Sequence, residues 1–182
     1  KRADPRPEDT VVVLGMGMIG LSAVQALQAR EVSNVIVSEI STKRRQAAQA
    51  VGITAAIDPK SADPAVAVEE ITSGEMADIV IECTGNPSVF RQALDMVRGG
   101  GKVMQVGVFQ QPMELDMNLL LRRNITLRGC LGGSFTTALE LLESGKIRTE
   151  HLITHRFPLE EAPAAFEAQL DTEESVKVII KP

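Results

Sequence analysis

One run of residues has the spacing to do chemistry, and few side chains elsewhere could do any alone. Gly15-Met16-Gly17-Met18-Ile19-Gly20 follows a G-x-G-x-x-G pattern, which brings a backbone turn close to a pyrophosphate and sets it on the unpaired N–H groups of a following helix. Gly15 permits the tight turn, Gly17 leaves room for the phosphates, and Gly20 allows close packing of the helix. Glu39 stands 19 residues beyond Gly20, where a carboxylate accepts hydrogen bonds from the adenosine ribose hydroxyls. Such charge-assisted bonds are worth about 1.5–3 kcal/mol, and a 2′-phosphate there would meet like charge. The two signals favour NAD over NADP, with Met18, Ile19 and Ile40 as flanking members of the candidate site. Arg44 and Arg45 pull the other way, since a nearby guanidinium accommodates a 2′-phosphate. The plain alternative for Glu39 is a solvated carboxylate at a strand end.

Other reactive side chains are scarce. The chain has no Tyr or Trp, five Phe, two Cys and two His, so a tyrosine proton donor, a four-cysteine zinc site and a disulfide framework are all excluded. Cys83 and Cys130 read as small core or crevice residues. His151 and His155 have an H-x-x-x-H spacing, but Ile153 and Thr154 imply an extended or irregular backbone on which the rings need not converge. No catalytic residue and no metal ligand is assigned. Nineteen basic against 24 acidic residues give a net charge of −5, which offers no phosphate-neutralising surface, and the few aromatics offer no base-stacking platform. Nucleic acid is therefore not an expected partner. No window approaches the ~18 apolar residues of a membrane span, Lys1 to Pro5 lack a leader's apolar run, and two cysteines 47 positions apart fit a reducing cytoplasm.

The elements that must position these residues alternate. A length of 182 residues suits one large domain, or a domain with a fragment of a second. Residues 1–10, with prolines at 5 and 7, read as a lead-in. Short apolar strands are expected at Val11–Leu14, Asn34–Ser38, Ala55–Ile57, Asp78–Glu82, Lys102–Val106 and Ile125–Gly129. Between and beyond them, helices are expected at Met18–Ala29, Thr42–Val51, Pro64–Thr72, Pro87–Val97 (stopped by Gly99-Gly100-Gly101) and Thr136–Ser144. This rhythm predicts an α/β fold of Rossmann type, a doubly wound parallel sheet of about six strands with helices on both faces. From about Glu150 the rhythm changes: Leu152-Ile153-Thr154, a helix near Leu159–Gln169 and an apolar strand at Val176–Ile180 follow a sheet that should already be complete.

Four ordered blocks, VVVLGMGMIGLSAVQAL, VIVSEISTKRRQAAQAVGITAAIDP, DIVIECTGNPSVFRQALDMVRGGGKVMQVGV and LESGKIRTEHLITHRFPLEEAPAAFEAQLDTEESVKVIIKP, carry a resemblance over nearly the whole chain. They resemble the medium-chain dehydrogenase/reductase family, in its zinc-dependent alcohol and polyol branch, and look most like butanediol, sorbitol and threonine dehydrogenases. The resemblance implies an NAD-dependent oxidoreductase interconverting a secondary alcohol, diol or polyol and its ketone. It matches Gly15, Gly17 and Gly20 to the pyrophosphate loop, Glu39 to the ribose acid and Arg44 to the basic residue beside the adenosine ribose. Thr84 and Gly85 match the loop beneath the nicotinamide ribose, while Val106, Val108, Cys130 and Leu131 match main chain lining the nicotinamide. Lys177 corresponds to a basic residue reaching the cofactor phosphates, and Met113 to Leu115 resembles an edge through which two copies pair as a homodimer or within a tetramer.

The departures from that family are equally specific. Its catalytic zinc is held by an N-terminal domain with no counterpart here, so the resemblance implies a coenzyme-binding portion, residues 11–149, and a return segment, 150–182, of the catalytic domain. A chain of that kind is expected to bind NAD without turnover. The stretch from Gly132 to Thr137 looks a few residues short, and Arg30-Glu31-Val32 replaces the glycine that commonly ends the first helix. Two alternatives stay open: a stand-alone, non-catalytic nucleotide-binding or regulatory module, and a zinc-independent quinone or enoyl reductase using NADPH.

Overall fold

The apolar runs of the first half are strands buried on two sides, and they assemble into one parallel sheet in the computed structural model, which describes residues 2–182. In chain order the elements are β1 (Thr10–Leu14), α1 (Met18–Gln28), β2 (Asn34–Ser38), α2 (Thr42–Ala50), β3 (Ala55–Ile57), α3 (Pro64–Ile71) and β4 (Ala77–Glu82). Next come α4 (Pro87–Met96), β5 (Val97–Gln105), α5 (Met117–Arg123), β6 (Thr126–Gly129) and α6 (Phe135–Glu143). The spatial order is β3-β2-β1-β4-β5-β6, with every pairing parallel. This is the Rossmann-type α/β sheet. The chain reverses its direction of travel between β1 and β4, so the loops leaving those strands open a crevice at their carboxyl ends.

Alternation along each strand divides the core into two layers. Val11 and Val13 of β1 and Ile79 and Ile81 of β4 pack with Leu21, Val24 and Leu27 of α1 and Ala48 of α2. Val12, Leu14 and Val80 point to the other face, against Val68 of α3 and Phe90, Ala93 and Leu94 of α4. The helices start where sequence places caps: Ser41, Asp63 and Asn86 each accept a first-turn N–H, and Pro64 and Pro87 occupy first-turn positions.

Two parts of the sheet differ from expectation. Helix α4 stops at Met96, and the strand after it begins at Val97 instead of Lys102. Ala77 pairs with Val97 and Ile79 with Lys102, so β4 advances two residues where β5 advances five. Arg98 to Gly101 thus loop out as a bulge, and the glycines interrupt a strand instead of ending a helix. Helix α5 was not foreseen; it is only seven residues long, capped by Asp116 and closed by Asn124 in the left-handed region.

A second sheet follows. After a 3₁₀ turn at Glu150–Leu152 come β7 (Ile153–Pro158), a second 3₁₀ turn at Leu159–Glu161, α7 (Ala162–Leu170) and β8 (Lys177–Lys181). Strands β7 and β8 pair in parallel, and α7 packs on both. Leu152 and Val176 are buried in the layer that contains α1, and buried Gln25 of α1 bonds both the N–H and the carbonyl of Arg148, at 2.7 and 3.2 Å. At the other end, Lys102 donates to the Ala3 carbonyl and Arg2 to that of Leu131, which seats the lead-in beside β5 and β6. No helix among the described residues is long and apolar enough to cross a membrane.

Candidate functional site

Strand β1 delivers the chain into the crevice at Gly15, which turns with φ +86° and donates its N–H to the Ser38 carbonyl at 2.9 Å. A Cβ on Gly20 would stand 1.8 Å from the Gly15 carbonyl oxygen, so the first turn of α1 and the preceding loop approach more closely than any side chain permits. A Cβ on Gly17 would meet nothing within 4 Å. The space before α1 is therefore open. Helix α1 has no side-chain cap, and first-turn N–H groups lack intrahelical acceptors, so positive potential faces that space. Such an opening suits an anionic group.

Glu39, at the end of β2, is only 6% exposed, which departs from a solvated strand-end carboxylate. One oxygen accepts the Met16 N–H at 2.6 Å and the other the Ser41 N–H at 2.9 Å. The carboxylate thereby ties the glycine turn to the loop entering α2. An ionised carboxylate has about four lone-pair sites, so acceptor capacity remains toward the cleft. Arg45 pairs with Asp58 at 2.8 Å and donates to the carbonyls of Glu39 and Ile40, bracing this loop from outside. Arg44 donates through two nitrogens, at 2.9 and 2.7 Å, to the carbonyl of Ser175 in the C-terminal segment.

The sequence-derived residues fall into two neighbouring clefts. The first, of about 520 Å³, is lined by Gly15, Gly17, Glu39, Ile40, Arg44 and Thr84 among others. The second, of about 540 Å³, includes Val106, Val108, Cys130 and Leu131. Gly85 joins them, since a Cβ there would lie 2.6 Å from the Val108 carbonyl oxygen. Met18, Ile19 and Gly20 form the first turn of α1, with Ile19 exposed and Met18 packed on the core. Lys177 sits in β8, outside both linings, where its carbonyl accepts from the Thr154 hydroxyl at 3.2 Å.

Several residues of the first cleft escape sequence reasoning. Ser38, Lys60, Asn86 and Thr172 also line it. Ser38 and Asn86 follow from their places at or after strand ends, a signal present in the alternation. Thr172 arrives from the distant C-terminal segment and has no local signal.

The remaining nucleophiles and ligands stay apart. Burial, and then the neighbouring Glu82 carboxylate, push the Cys83 thiol up to about 12, so it remains a protonated, weak nucleophile. His155 lies 3.0 Å from the Thr154 hydroxyl and stacks on Phe157, while His151 lies in the 3₁₀ turn. Among the described residues there is no group of three or more His, Cys, Asp or Glu side chains disposed to hold a metal ion. The described side chains do not fit a zinc centre.

Comparison with known proteins bears on the family and the fold. Residues 18–144 match the family model described as zinc-binding dehydrogenase. A sorbitol dehydrogenase of Bacillus subtilis is 31% identical over 185 residues, covering 100% of this chain and 52% of the relative. The structure of an alcohol dehydrogenase from Thermus sp. ATN1 superposes with a TM-score of 0.92 at 31% identity, over 100% of this chain and 53% of that one. A crystal structure described as a putative zinc-binding dehydrogenase from Sinorhizobium meliloti 1021, bound to NADP, superposes with a TM-score of 0.89 at 29% identity, over 100% of this chain and 54% of that one. The chain thus spans about half the length of the relatives it matches.

Proposed function

The chain belongs to the zinc-binding dehydrogenase family, and from that premise we propose that it is the coenzyme-binding portion of an NAD-dependent oxidoreductase acting on a secondary alcohol, diol or polyol. One observation carries the reading: the open approach at Gly17 and the buried Glu39 carboxylate face the same cleft at the point where the strand order reverses. The first-turn N–H groups of α1 would receive the pyrophosphate. Glu39, with its position fixed by Met16 and Ser41, would accept the adenosine ribose hydroxyls. Thr84, Gly85, Val106 and Val108 would line the nicotinamide-ribose end, where side chains and main chain would orient the ring. Bound there, the nicotinamide would supply the hydride acceptor that turns an alcohol into its ketone, the hydroxyl proton passing to solvent. Among the described residues there is no ligand set for zinc.

The division into a lead-in at 1–10, a coenzyme-binding region at 11–149 and a return segment at 150–182 is part of this proposal, as is pairing of two copies through Met113 to Leu115. Met113 and Leu115 are half-buried against the α3–α4 layer, and Glu114 between them is exposed, its carbonyl bonded by Arg91 at 3.3 Å.

Calorimetric titration of the chain tests the cofactor assignment. NAD should bind more tightly than NADP. Glu39→Gln should weaken NAD about tenfold or more, as expected for charge-assisted bonds worth about 1.5–3 kcal/mol. A folded chain that binds neither nucleotide would refute the proposal. A second reading, NADP as cofactor, is favoured by Arg44 and Lys60 lining the same cleft and by the NADP-bound relative. Tenfold tighter binding of NADP would establish it in place of the first.

A further inference from the structure

Glu82 closes β4 at the centre of the sheet, is completely buried, and lines neither cleft. Its backbone carbonyl accepts the N–H groups of Val106 and Gly107, both at 2.9 Å. In the side chain, Oε1 accepts the Thr84 N–H at 2.5 Å and the Gly85 N–H at 3.0 Å, together with the Thr84 hydroxyl. Oε2 has no hydrogen-bond partner among the described residues. A Cβ on Gly107 would stand 2.5 Å from Oε2 and 2.2 Å from the Gly85 nitrogen, so the loop leaving β4 and the loop leaving β5 meet with no side chain between them.

A buried carboxylate is a costly way to satisfy two backbone donors and a hydroxyl, because its second oxygen is desolvated without compensation. A neutral side chain of similar reach would satisfy the same donors. The main-chain carbonyl of Glu82 would hold Val106 and Gly107 whatever the side chain; what the carboxylate adds is the grip of Oε1 on Thr84 and Gly85, with Oε2 set against Gly107 where the second loop arrives.

We infer that Glu82 is a positioning residue for the nicotinamide-ribose end of the cofactor. Its carboxylate fixes Thr84-Gly85 at the place where they meet the Val106-Val108 loop, so that the two loops form one edge of the site, and it does not itself touch the cofactor. The inference rests on the dinucleotide reading proposed above.

The test separates the two ends of the cofactor. ADP shares the adenosine and the diphosphate with NADH but lacks the nicotinamide ribose. The full chain, Glu82→Leu and Glu82→Gln are each titrated with both ligands by calorimetry. Glu82→Leu, which removes the acceptor at similar volume, should weaken NADH tenfold or more and ADP, whose cleft Thr84 also lines, by less than threefold. Glu82→Gln keeps one acceptor oxygen for Thr84 and Gly85 and should restore NADH to within threefold of the parent. Equal weakening of both ligands, or unchanged NADH affinity in Glu82→Leu, overturns the inference. If Glu82→Leu does not fold, Gly107→Ala takes its place, because its methyl enters the gap between the loops, and the same split is expected. A folded parent chain that binds neither ADP nor NADH instead overturns the dinucleotide reading, and the inference falls with it.

Discussion

Two acids stand at the ends of the strands that flank β1, Glu39 after β2 and Glu82 at the end of β4, and both are buried acceptors of backbone N–H groups. Their difference lies in what remains free: Glu39 lines the cleft, whereas Glu82 stands behind it and holds the loop leaving β4. Glu82 also acts on its neighbour. Burial is the larger cause, and the Glu82 carboxylate the second, of a Cys83 thiol pushed up from 9.0 to about 12. The folded state thus holds the Cys83 proton more tightly than the unfolded state does. The stability this contributes is complete below pH 9 and is lost as pH rises toward 12. Urea unfolding at pH 8 and at pH 10.5 should therefore show a drop in stability that is smaller in Cys83→Ala. A thiol reagent at pH 8 should leave Cys83 essentially unlabelled in the native chain, since burial keeps the thiol protonated, and label it promptly in urea. Glu39 was legible because its distance from the glycines carries meaning. The role of Glu82 was not, because its burial depends on a loop from another strand closing over it.

At the scale of elements, the β1–α1 turn separates two uses of glycine that the motif treats alike. Gly20 is required by the fold, since a Cβ there would stand 1.8 Å from the Gly15 carbonyl oxygen. Gly17 has open space around it and φ −71°, which any residue adopts. Gly20→Ala should therefore destabilise the chain by about 1–3 kcal/mol, the usual cost of overpacking, seen as a lower denaturation midpoint. Gly17→Ala should cost less than about 1 kcal/mol, the scale of a poorer helix cap, yet weaken NAD binding at least tenfold, because its methyl occupies the approach to the helix N-terminus. Equal effects of the two substitutions on stability would contradict this division of labour. Most elements could be read from sequence for a physical reason: strands buried on both faces leave continuous apolar runs such as Val11 to Leu14, and caps such as Asp63 mark helix starts. Where reading failed, tertiary pairing decided. Gly99 to Gly101 look like a helix stop until Val97 pairs with Ala77 and turns them into a bulge. Helix α5 is too short to show a periodic face.

At the scale of the molecule, the question is what joins the second sheet to the first. Two ion pairs connect them near the cleft, Lys43 to Glu174 at 2.9 Å and Lys60 to Glu173 at 3.1 Å, with all four side chains between 43% and 69% exposed. Exposed pairs of this kind contribute about 0–1 kcal/mol each. Leu152 and Val176 are instead buried in the layer shared with α1, and full burial of such side chains contributes about 1.5–3 kcal/mol each. The apolar contacts should therefore dominate, with the two Arg44 bonds to the Ser175 carbonyl setting the position of the acidic turn. Removing residues 150–182 should lower stability by more than about 3 kcal/mol in urea titration, because it uncovers that layer. Raising salt to about 1 M, where the Debye length falls to about 3 Å, should change the stability of the intact chain by less than about 2 kcal/mol. Thr172 lines the first cleft from this segment, so the shortened chain should also bind ADP more weakly. A shortened chain with an unchanged midpoint and unchanged ADP affinity would mean that the second sheet neither covers the core nor helps to shape the site.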